Sequence, residues 1–366
     1  MGKTGRSSWW AAFAAGLVLF TGSGAWSPPA SAAQLNNATA TGTIGANSAS
    51  TKPFPSTLTT TYTVTGGAVY TIVANNAPLT TLGGSTAVMF TPNVPTTTTG
   101  IQLQTDGSTC SYASNLALTA NCARGTLQIS FNRPVTNPTL HFQGLGAVIT
   151  DPSSLVAITA GRTVHTIASS VPAGATMTLL GGAVNLQVTG GGTTLDVTNT
   201  NYVGTSCSSV LPPATQLAGC GSVRINGTVT SVTFNVSMFS TRNGFNATIT
   251  NILPTDGYMV TTTVDEDFGD APATYDAVEA ASHILDGIRL GATVDADNTT
   301  IFNNTPAVTP SPNAVAVGGD ANAGGDGADE DGLTTPLATL HTGLIGQTYS
   351  LSPTLSGSTA AGTVCG

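Results

Sequence analysis

Charged residues are scarce in this 366-residue chain: Asp, Glu, Lys and Arg together make up only 7% of it. Typical soluble domains carry a charge on about a quarter of their residues. Lys and Arg number nine in total, against eighteen Asp and Glu. So few basic residues exclude nucleic-acid binding through a basic face, which requires clustered Lys and Arg.

Tryptophan is absent from most of the chain, because the three copies lie near its start, at Trp9, Trp10 and Trp26. They belong to residues 1–32, which run from a basic start through an apolar stretch to small residues, the order of a bacterial export signal. The apolar stretch is shorter than the roughly 20 residues that span a bilayer. We therefore predict cleavage near Ala32 or Ala33, a secreted or surface-displayed mature chain, and no transmembrane segment within it.

Cysteine is also sparse, with five residues in the chain. Four of them form two closely spaced pairs, Cys110 with Cys122 and Cys207 with Cys220. In an exported protein this spacing favours two local disulfides, and it fits no compact zinc motif. Free thiols remain the alternative, and four cysteines allow three pairings. Cys365 has no neighbour of this kind.

What the chain has in abundance is alternation of apolar and polar residues. Leu127, Ile129 and Phe131 alternate in one segment, and residues 232–238 do the same in SVTFNVSMF. This period of two is typical of strands with one buried face, and Gly and Pro clusters separate the segments. The pattern predicts an all-β protein, specifically an antiparallel β-sandwich of lectin-like or jelly-roll type followed by a second, incomplete β module.

The acidic residues divide the chain into two regions. Only Asp106, Asp151 and Asp196 precede Asp256, and the others lie between Asp256 and Asp331. We therefore predict a signal peptide at 1–32, a β-sandwich domain at 33–262 and an acidic β domain at 263–366. A short helix is expected at 275–285.

Side chains suited to catalysis are few in the first domain. Residues 33–255 contain three carboxylates, which are widely separated, and no nucleophile-elbow motif is visible. His141 alternates with Leu140 and Phe142, so it is interpreted as a solvent-side or hydrogen-bonded strand histidine. We predict no catalytic residues and a protein that is not an enzyme. The ligand-binding residues are unknown from the sequence.

One run of residues resembles a known family. Residues 125–147, GTLQISFNRPVTNPTLHFQGLGA, are similar to a segment of the lectin-like non-repetitive domain of CshA-type fibrillar adhesins. That resemblance implies a strand ending in Phe, a turn at Pro134–Pro138 and a second strand ending in Gly-Leu-Gly. Because proline fixes φ and cannot donate to a ladder, the turn is expected to link two strands.

A second resemblance begins at Asp267-Phe268-Gly269-Asp270-Ala271-Pro272 and continues through Val294-Asp295-Ala296-Asp297 to Asp329-Glu330-Asp331-Gly332. These motifs are similar to those of the GEVED domain of bacterial surface proteins. The resemblance implies a β module whose last strands would follow Gly366, so the sequence is expected to be a fragment of a longer protein.

A glycine-rich acidic loop in this region is the candidate metal site. Its candidate ligands are Asp320, Asn322, Asp326, Asp329, Glu330 and Asp331. Calcium prefers six to eight oxygen ligands, and glycines allow a chain to wrap around the ion. We predict Ca²⁺ here, with a solvated acidic loop as the alternative.

Taken together, these features favour a non-enzymatic, adhesin-like bacterial surface protein. Its first domain would bind a host protein, a matrix protein or a glycan on another cell, and its second would act as a spacer. Two alternatives stay open: the accessory region of a secreted hydrolase, and a carbohydrate-binding lectin.

Overall fold

The computed structural model describes most of the region predicted as the first domain and short parts of the rest. The described residues are 34–35, 38–54, 58–79, 84–95, 97–107, 109–110, 122–150, 157–198, 206–207, 217–242, 255–268, 282–284, 289–290 and 355–356. They form antiparallel strands and two short 3₁₀ turns, Gly67–Val69 and Ala87–Met89, and this described part contains no α-helix. The prediction of an all-β protein is confirmed.

Seventeen strands build the main body of the structure. In chain order they are β1 (Gln34–Leu35), β2 (Thr41–Gly42), β3 (Gly45–Ala46), β4 (Ala49–Pro53), β5 (Thr59–Thr65), β6 (Tyr70–Pro78), β7 (Thr99–Asp106), β8 (Cys122–Thr136), β9 (Thr139–Leu145), β10 (Ala147–Thr150), β11 (Ala157–Val171), β12 (Thr176–Leu179), β13 (Leu186–Thr189), β14 (Thr194–Val197), β15 (Gly219–Asn226), β16 (Thr228–Arg242) and β17 (Thr255–Val264).

These strands are divided between two antiparallel sheets. The eight-stranded sheet has the order β12-β15-β9-β17-β7-β6-β3, with β1 also paired to β17. The nine-stranded sheet has the order β13-β14-β11-β16-β8-β5-β4-β2, with β10 also paired to β11. Three strands of 15 residues, β8, β11 and β16, lie side by side in the nine-stranded sheet.

The main core lies between the inner faces of the two sheets. Leu127, Ile129 and Phe234 face it from the nine-stranded sheet, and Phe142 and Val260 face it from the eight-stranded sheet. Alternation explains this placement, since side chains on a strand point to opposite faces in turn. Burying each such side chain stabilises the fold by about 1.5–3 kcal/mol. The predicted antiparallel β-sandwich is confirmed.

Two adjacent corners carry the chain from one sheet to the other. Asn137 separates β8 from β9, and Gly227 separates β15 from β16. Asn137 has a φ of 52° and Gly227 a φ of 99°, a region that Gly and Asn tolerate. The Asn137 amide N–H donates to the Gly227 carbonyl at 3.0 Å, and the Gly227 N–H donates to Asn137 Oδ1 at 2.9 Å. Each corner therefore stabilises the other.

The link expected at Pro134–Pro138 is shorter than the sequence suggested. Strand β8 continues beyond Phe131 to Thr136, so only Asn137 and Pro138 lie between the two strands. Pairing with β16 shifts register between Val229 and Ser231. The ladder is therefore irregular beside Pro134, and proline is tolerated at such bulges because it cannot donate a ladder hydrogen bond.

The Gly-Leu-Gly motif forms a further corner, where β9 of the eight-stranded sheet leads into β10 of the nine-stranded sheet. Gly144 and Gly146 have φ values of 86° and 92°. An L side chain rarely adopts this backbone conformation, which accounts for both glycines.

A covering segment adds a third layer to part of the eight-stranded sheet. We call residues 84–95, which lie between β6 and β7, the strap. Phe90 and Val94 of the strap are fully buried, and they pack in a cluster with Leu79 and Met259 that is separate from the main core. Strand β9 is consequently buried on both of its faces.

Four short strands lie beyond the sandwich. They are β18 (Glu266–Phe268), β19 (Ser282–Ile284), β20 (Arg289–Leu290) and β21 (Leu355–Ser356). Strand β18 pairs with β19, and β20 pairs with β21, both antiparallel. The helix expected at 275–285 is wrong for Ser282–Ile284, which pairs as a strand instead.

Candidate functional site

The predicted site residues fall into two groups. Both predicted disulfides are formed, Cys110–Cys122 with 5.7 Å between its Cα atoms and Cys207–Cys220 with 5.9 Å. The six predicted calcium ligands all lie outside the described residues. Within the described residues, His, Cys, Asp and Glu do not cluster in groups of three or more that could hold a metal ion.

The first disulfide is fastened to the sandwich by a nearly buried arginine. Arg124 donates from Nη1 to the Asp106 carbonyl at 2.6 Å and to Thr109 Oγ1 at 3.2 Å. A second donor of the same guanidinium, Nη2, contacts Cys122 Sγ at 2.5 Å. Arg124 therefore connects the disulfide to the end of β7, and its role is structural.

His141 is buried, so its expected solvent-side position is wrong, whereas the hydrogen-bonded alternative is confirmed. Its Nδ1 lies 2.7 Å from Ser222 Oγ, and its Nε2 lies 3.0 Å from Thr263 Oγ1. The Phe90 ring meets the imidazole edge-on, with 5.8 Å between ring centroids. Burial lowers the pKa of His141 to about 3, so the imidazole is neutral at physiological pH.

A second buried polar network connects the two sheets through the core. His165 of β11 lies with Nε2 2.7 Å from the Tyr258 hydroxyl of β17, which lies 2.6 Å from the Tyr70 hydroxyl. Burial lowers the pKa of His165 to about 3 and raises the pKa values of both tyrosines. All three groups are fully buried and neutral at physiological pH.

Asp256 forms another link between the sheets. Its carboxylate accepts from the Gly146 N–H at 3.0 Å to each oxygen and from the Thr163 N–H at 2.8 Å. Burial raises the pKa of Asp256 to about 6, although the hydrogen bonds from Thr163 and Gly146 oppose that rise. The side chain fastens the Gly-Leu-Gly corner to β11, which is a structural role.

These buried groups have the residue types of catalytic sites but a structural arrangement. Asp256, His165 and Tyr258 are inaccessible to solvent. Perturbed pKa values can mark functional sites, yet buried structural networks perturb pKa values as well. The surface that a macromolecular partner can reach is therefore the better candidate for a functional site.

That surface lies on the outer face of the nine-stranded sheet, where three rows of polar side chains form what we call the hydroxyl face. Its polar side chains stand opposite one another across neighbouring strands and form three rows. Every one of them is at least partly exposed to solvent. The rows are Thr51, Thr61, Ser130 and Ser231; then Thr63, Gln128, Thr233 and Ser169; then Thr65, Thr126, Asn235, Thr166, Thr194 and Thr189.

Hydrogen bonds between neighbouring strands order several of these side chains. The hydroxyl oxygens of Thr65 and Thr126 lie 2.6 Å apart, and those of Thr51 and Thr61 lie 2.8 Å apart. Cross-strand pairs of this kind are each worth about 0.2–1 kcal/mol relative to alanine pairs. The rows are therefore held in place before any ligand binds.

The residues of the hydroxyl face are polar and neutral, and the same side of the sheet also carries the Arg162–Asp196 ion pair and the exposed Val171. Each hydroxyl and carboxamide can donate and accept hydrogen bonds, and none of the residues in the three rows is charged. Neighbouring strands place these groups about 4.8 Å apart. Such a face can contact a partner with many neutral hydrogen-bonding groups, such as a polypeptide backbone or a glycan.

The fold and the hydroxyl face define the class of the protein: a disulfide-bonded antiparallel β-sandwich whose nine-stranded sheet carries rows of neutral hydroxyl and carboxamide side chains on its outer face. In the described part of the chain, no helix is long and apolar enough to cross a membrane. The chain matches no protein-family model, no curated protein and no solved structure.

The hydroxyl face was missed at the level of the sequence, although a signal for it was present. In TLQISF the polar residues Gln128 and Ser130 alternate with the apolar ones, and in SVTFNVSMF Thr233 and Asn235 do the same. The apolar positions of these segments predict strands. The polar residues on the opposite face are the ones that form the rows.

Proposed function

We propose that this protein is a non-enzymatic, adhesin-like protein of the bacterial exterior. The sandwich binds a host protein, a matrix protein or a cell-surface glycan through the hydroxyl face. The acidic region that follows acts as a spacer, with the glycine-rich acidic loop as its calcium site. The two disulfides are compatible with an extracellular location.

The observation that carries this proposal is the continuity of the hydroxyl face. Its longest row crosses six strands, from Thr65 of β5 to Thr189 of β13. Stable protein interfaces bury about 800 Å² on each partner, an area that only a broad face can supply. The face offers many individually weak hydrogen bonds, which suits a macromolecular partner better than a small molecule.

The lack of charge on this face predicts how binding responds to salt. Electrostatic steering and ion pairing weaken steeply as ionic strength rises, whereas neutral hydrogen bonds do not. Raising NaCl from 0.15 M to 1 M shortens the Debye length from about 8 Å to about 3 Å. We nevertheless expect the affinity to change less than about twofold over that range, because the contacts are neutral hydrogen bonds.

The test uses the mature chain, residues 33–366, immobilised on a sensor surface. Fibronectin, laminin and collagen are passed over it, together with an array of neutral, sialylated and sulfated glycans. Saturable, salt-insensitive binding to one of these ligands supports the proposal. Binding to glycans alone would make the protein a lectin. No saturable binding to any of them would contradict the proposal.

A further inference from the structure

The strap covers a second group of polar side chains on the other sheet. Ser222 of β15, His141 of β9 and Thr261 of β17 stand opposite one another on the outer face of the eight-stranded sheet, and Thr263 lies beside them. We call these four residues the covered row. Each is at most 1% exposed.

A sheet face that is permanently covered is normally apolar, because burying polar groups costs free energy unless hydrogen bonds compensate. The covered row is instead as polar as the exposed hydroxyl face. It is also not fully satisfied: the Thr261 hydroxyl is buried and has no hydrogen-bond partner within the described structure. Thr261 pairs with His141 across the strands, so it lies on the same face of the sheet as the imidazole that Phe90 of the strap contacts.

The strap makes one polar contact with the covered row and one with the loop between β12 and β13. The Thr91 N–H donates to Ser222 Oγ at 2.9 Å, and Thr91 Oγ1 donates to the Gly181 carbonyl at 2.7 Å. Phe90 and Val94 hold the strap in a cluster separate from the main core, and Met89 packs against that cluster and against the buried Cys207, Ala218 and Cys220. It can therefore leave the sheet without exposing the core between the two sheets.

We propose that the covered row is a binding site for a neutral saccharide unit, and that the strap occupies this site in the absence of ligand. The Thr91 N–H takes the position of a ligand hydroxyl that donates to Ser222 Oγ. Displacing the strap frees the row, and the Thr261 hydroxyl then gains the partner that it lacks in the closed structure.

The chemistry of the row selects this class of ligand. Three hydroxyls supply donors and acceptors within a short span, while both imidazole nitrogens of His141 are held by Ser222 and Thr263. All four side chains are neutral at physiological pH. An anion or a cation would find no opposite charge in the row. An apolar ligand would leave the polar atoms of the row without hydrogen-bond partners. Adjacent hydroxyls on a sugar ring match alternating donors and acceptors.

The experiment weakens the strap in the mature chain. Phe90→Ala removes its largest buried anchor, and Val88→Ala is the matched control because Val88 is 71% exposed on the same strap. Both are titrated with neutral cello-, malto- and chito-oligosaccharides, with sialylated and sulfated saccharides as charged comparators. If Phe90→Ala does not fold, Val94→Ala replaces it.

A third variant tests whether the saccharide binds at the covered row. Thr261→Val keeps the shape of the side chain and removes only the hydroxyl without a partner, so its melting temperature should be unchanged or raised. Introduced into the Phe90→Ala protein, it should weaken saccharide binding by about tenfold, the effect of losing one buried hydrogen bond on ligand binding.

The expected result is that at least one neutral saccharide binds Phe90→Ala about tenfold or more tightly than Val88→Ala, and that Thr261→Val reverses this gain. Three outcomes would overturn the proposal: no neutral saccharide binds the weakened strap variant, the charged comparators bind better, or Thr261→Val leaves the affinity unchanged. Because this site lies on the other sheet, the result does not depend on whether the hydroxyl face binds a partner.

Discussion

Acidification should destabilise the sandwich, because two buried histidines have to remain neutral in the folded protein. His141 and His165 have an ordinary pKa of 6.5, which burial lowers to about 3 in both cases. The unfolded chain therefore takes up protons at a higher pH than the folded chain does. The stabilisation from the neutral imidazoles is complete above pH 6.5 and is lost as the pH falls toward 3.

The size of the effect follows from these values. At pH 5 each histidine lies about 1.5 units below its unfolded pKa, which costs about 2 kcal/mol per histidine and about 4 kcal/mol for both. Asp256 acts in the opposite direction, because burial raises its pKa from 3.8 to about 6. The stabilisation from protonated Asp256 is complete below pH 3.8 and declines as the pH rises to 6. Acidification from pH 7.5 to pH 5 therefore raises its contribution to the free energy of unfolding by about 1.4 kcal/mol. The expected net loss is about 3 kcal/mol.

Urea unfolding of the mature chain at pH 7.5 and pH 5 measures this loss. Circular dichroism and tyrosine fluorescence are the signals of choice, since residues 33–366 contain no tryptophan. His141→Gln and His165→Gln should each reduce the loss by about 2 kcal/mol, because each removes one titrating group. Equal stability at the two pH values, or variants that keep the full pH dependence, would refute the reasoning.

Three further predictions concern the tyrosine pair, the disulfides and the acidic region. Tyr258→Phe should cost about 2–3 kcal/mol, and Tyr70→Phe about 1 kcal/mol, because only the former leaves both His165 and the other tyrosine without a partner; equal midpoints in urea would contradict this. Reducing both disulfides should lower the free energy of unfolding by about 3 kcal/mol each, from the entropy of loops with sequence separations of 12 and 13 residues; an unchanged midpoint in the presence of a reductant would exclude this contribution. Millimolar calcium should raise the melting temperature of the acidic region, residues 263–366; the same melt with and without chelator would rule out the calcium site.

Local sequence patterns predicted the strands and the disulfides because both depend on residues close together in the chain. The alternation of Leu127, Ile129 and Phe131 determines which face of β8 is buried, whatever strand lies next to it. In the same way, the two disulfides join cysteines separated by only 12 and 13 positions.

Features that depend on distant residues were not predictable in this way. The burial of His141 depends on the strap, whose Phe90 lies 51 positions earlier and covers a strand face that looks solvent-exposed in the sequence. Asp256 lies within the predicted sandwich domain, but its role is not visible in the sequence, because its partners are backbone N–H groups on β11 and at the Gly-Leu-Gly corner. Backbone donors leave no signature in a sequence.

Predicting the hydroxyl face requires both local alternation and the pairing of distant strands. Alternation identifies Gln128 as an outward residue of β8, but only the pairing of β8 with β5 and β16 places it between Thr63 and Thr233. A row of neutral groups thus arises from sheet register, which joins segments more than 60 residues apart in the chain.

The central claim is that the hydroxyl face binds the partner, and one pair of matched variants tests it most directly. Gln128→Arg introduces a charge into the middle row of the hydroxyl face, and Gln104→Arg introduces the same charge on the outward side of β7 in the other sheet. Both are surface changes that should alter stability by less than about 0.5 kcal/mol. With the ligand identified by the screen, Gln128→Arg should weaken binding by about tenfold or more, because an unpaired charge is buried in the interface, and Gln104→Arg should leave the affinity unchanged. Equal affinities for the two variants would contradict the account.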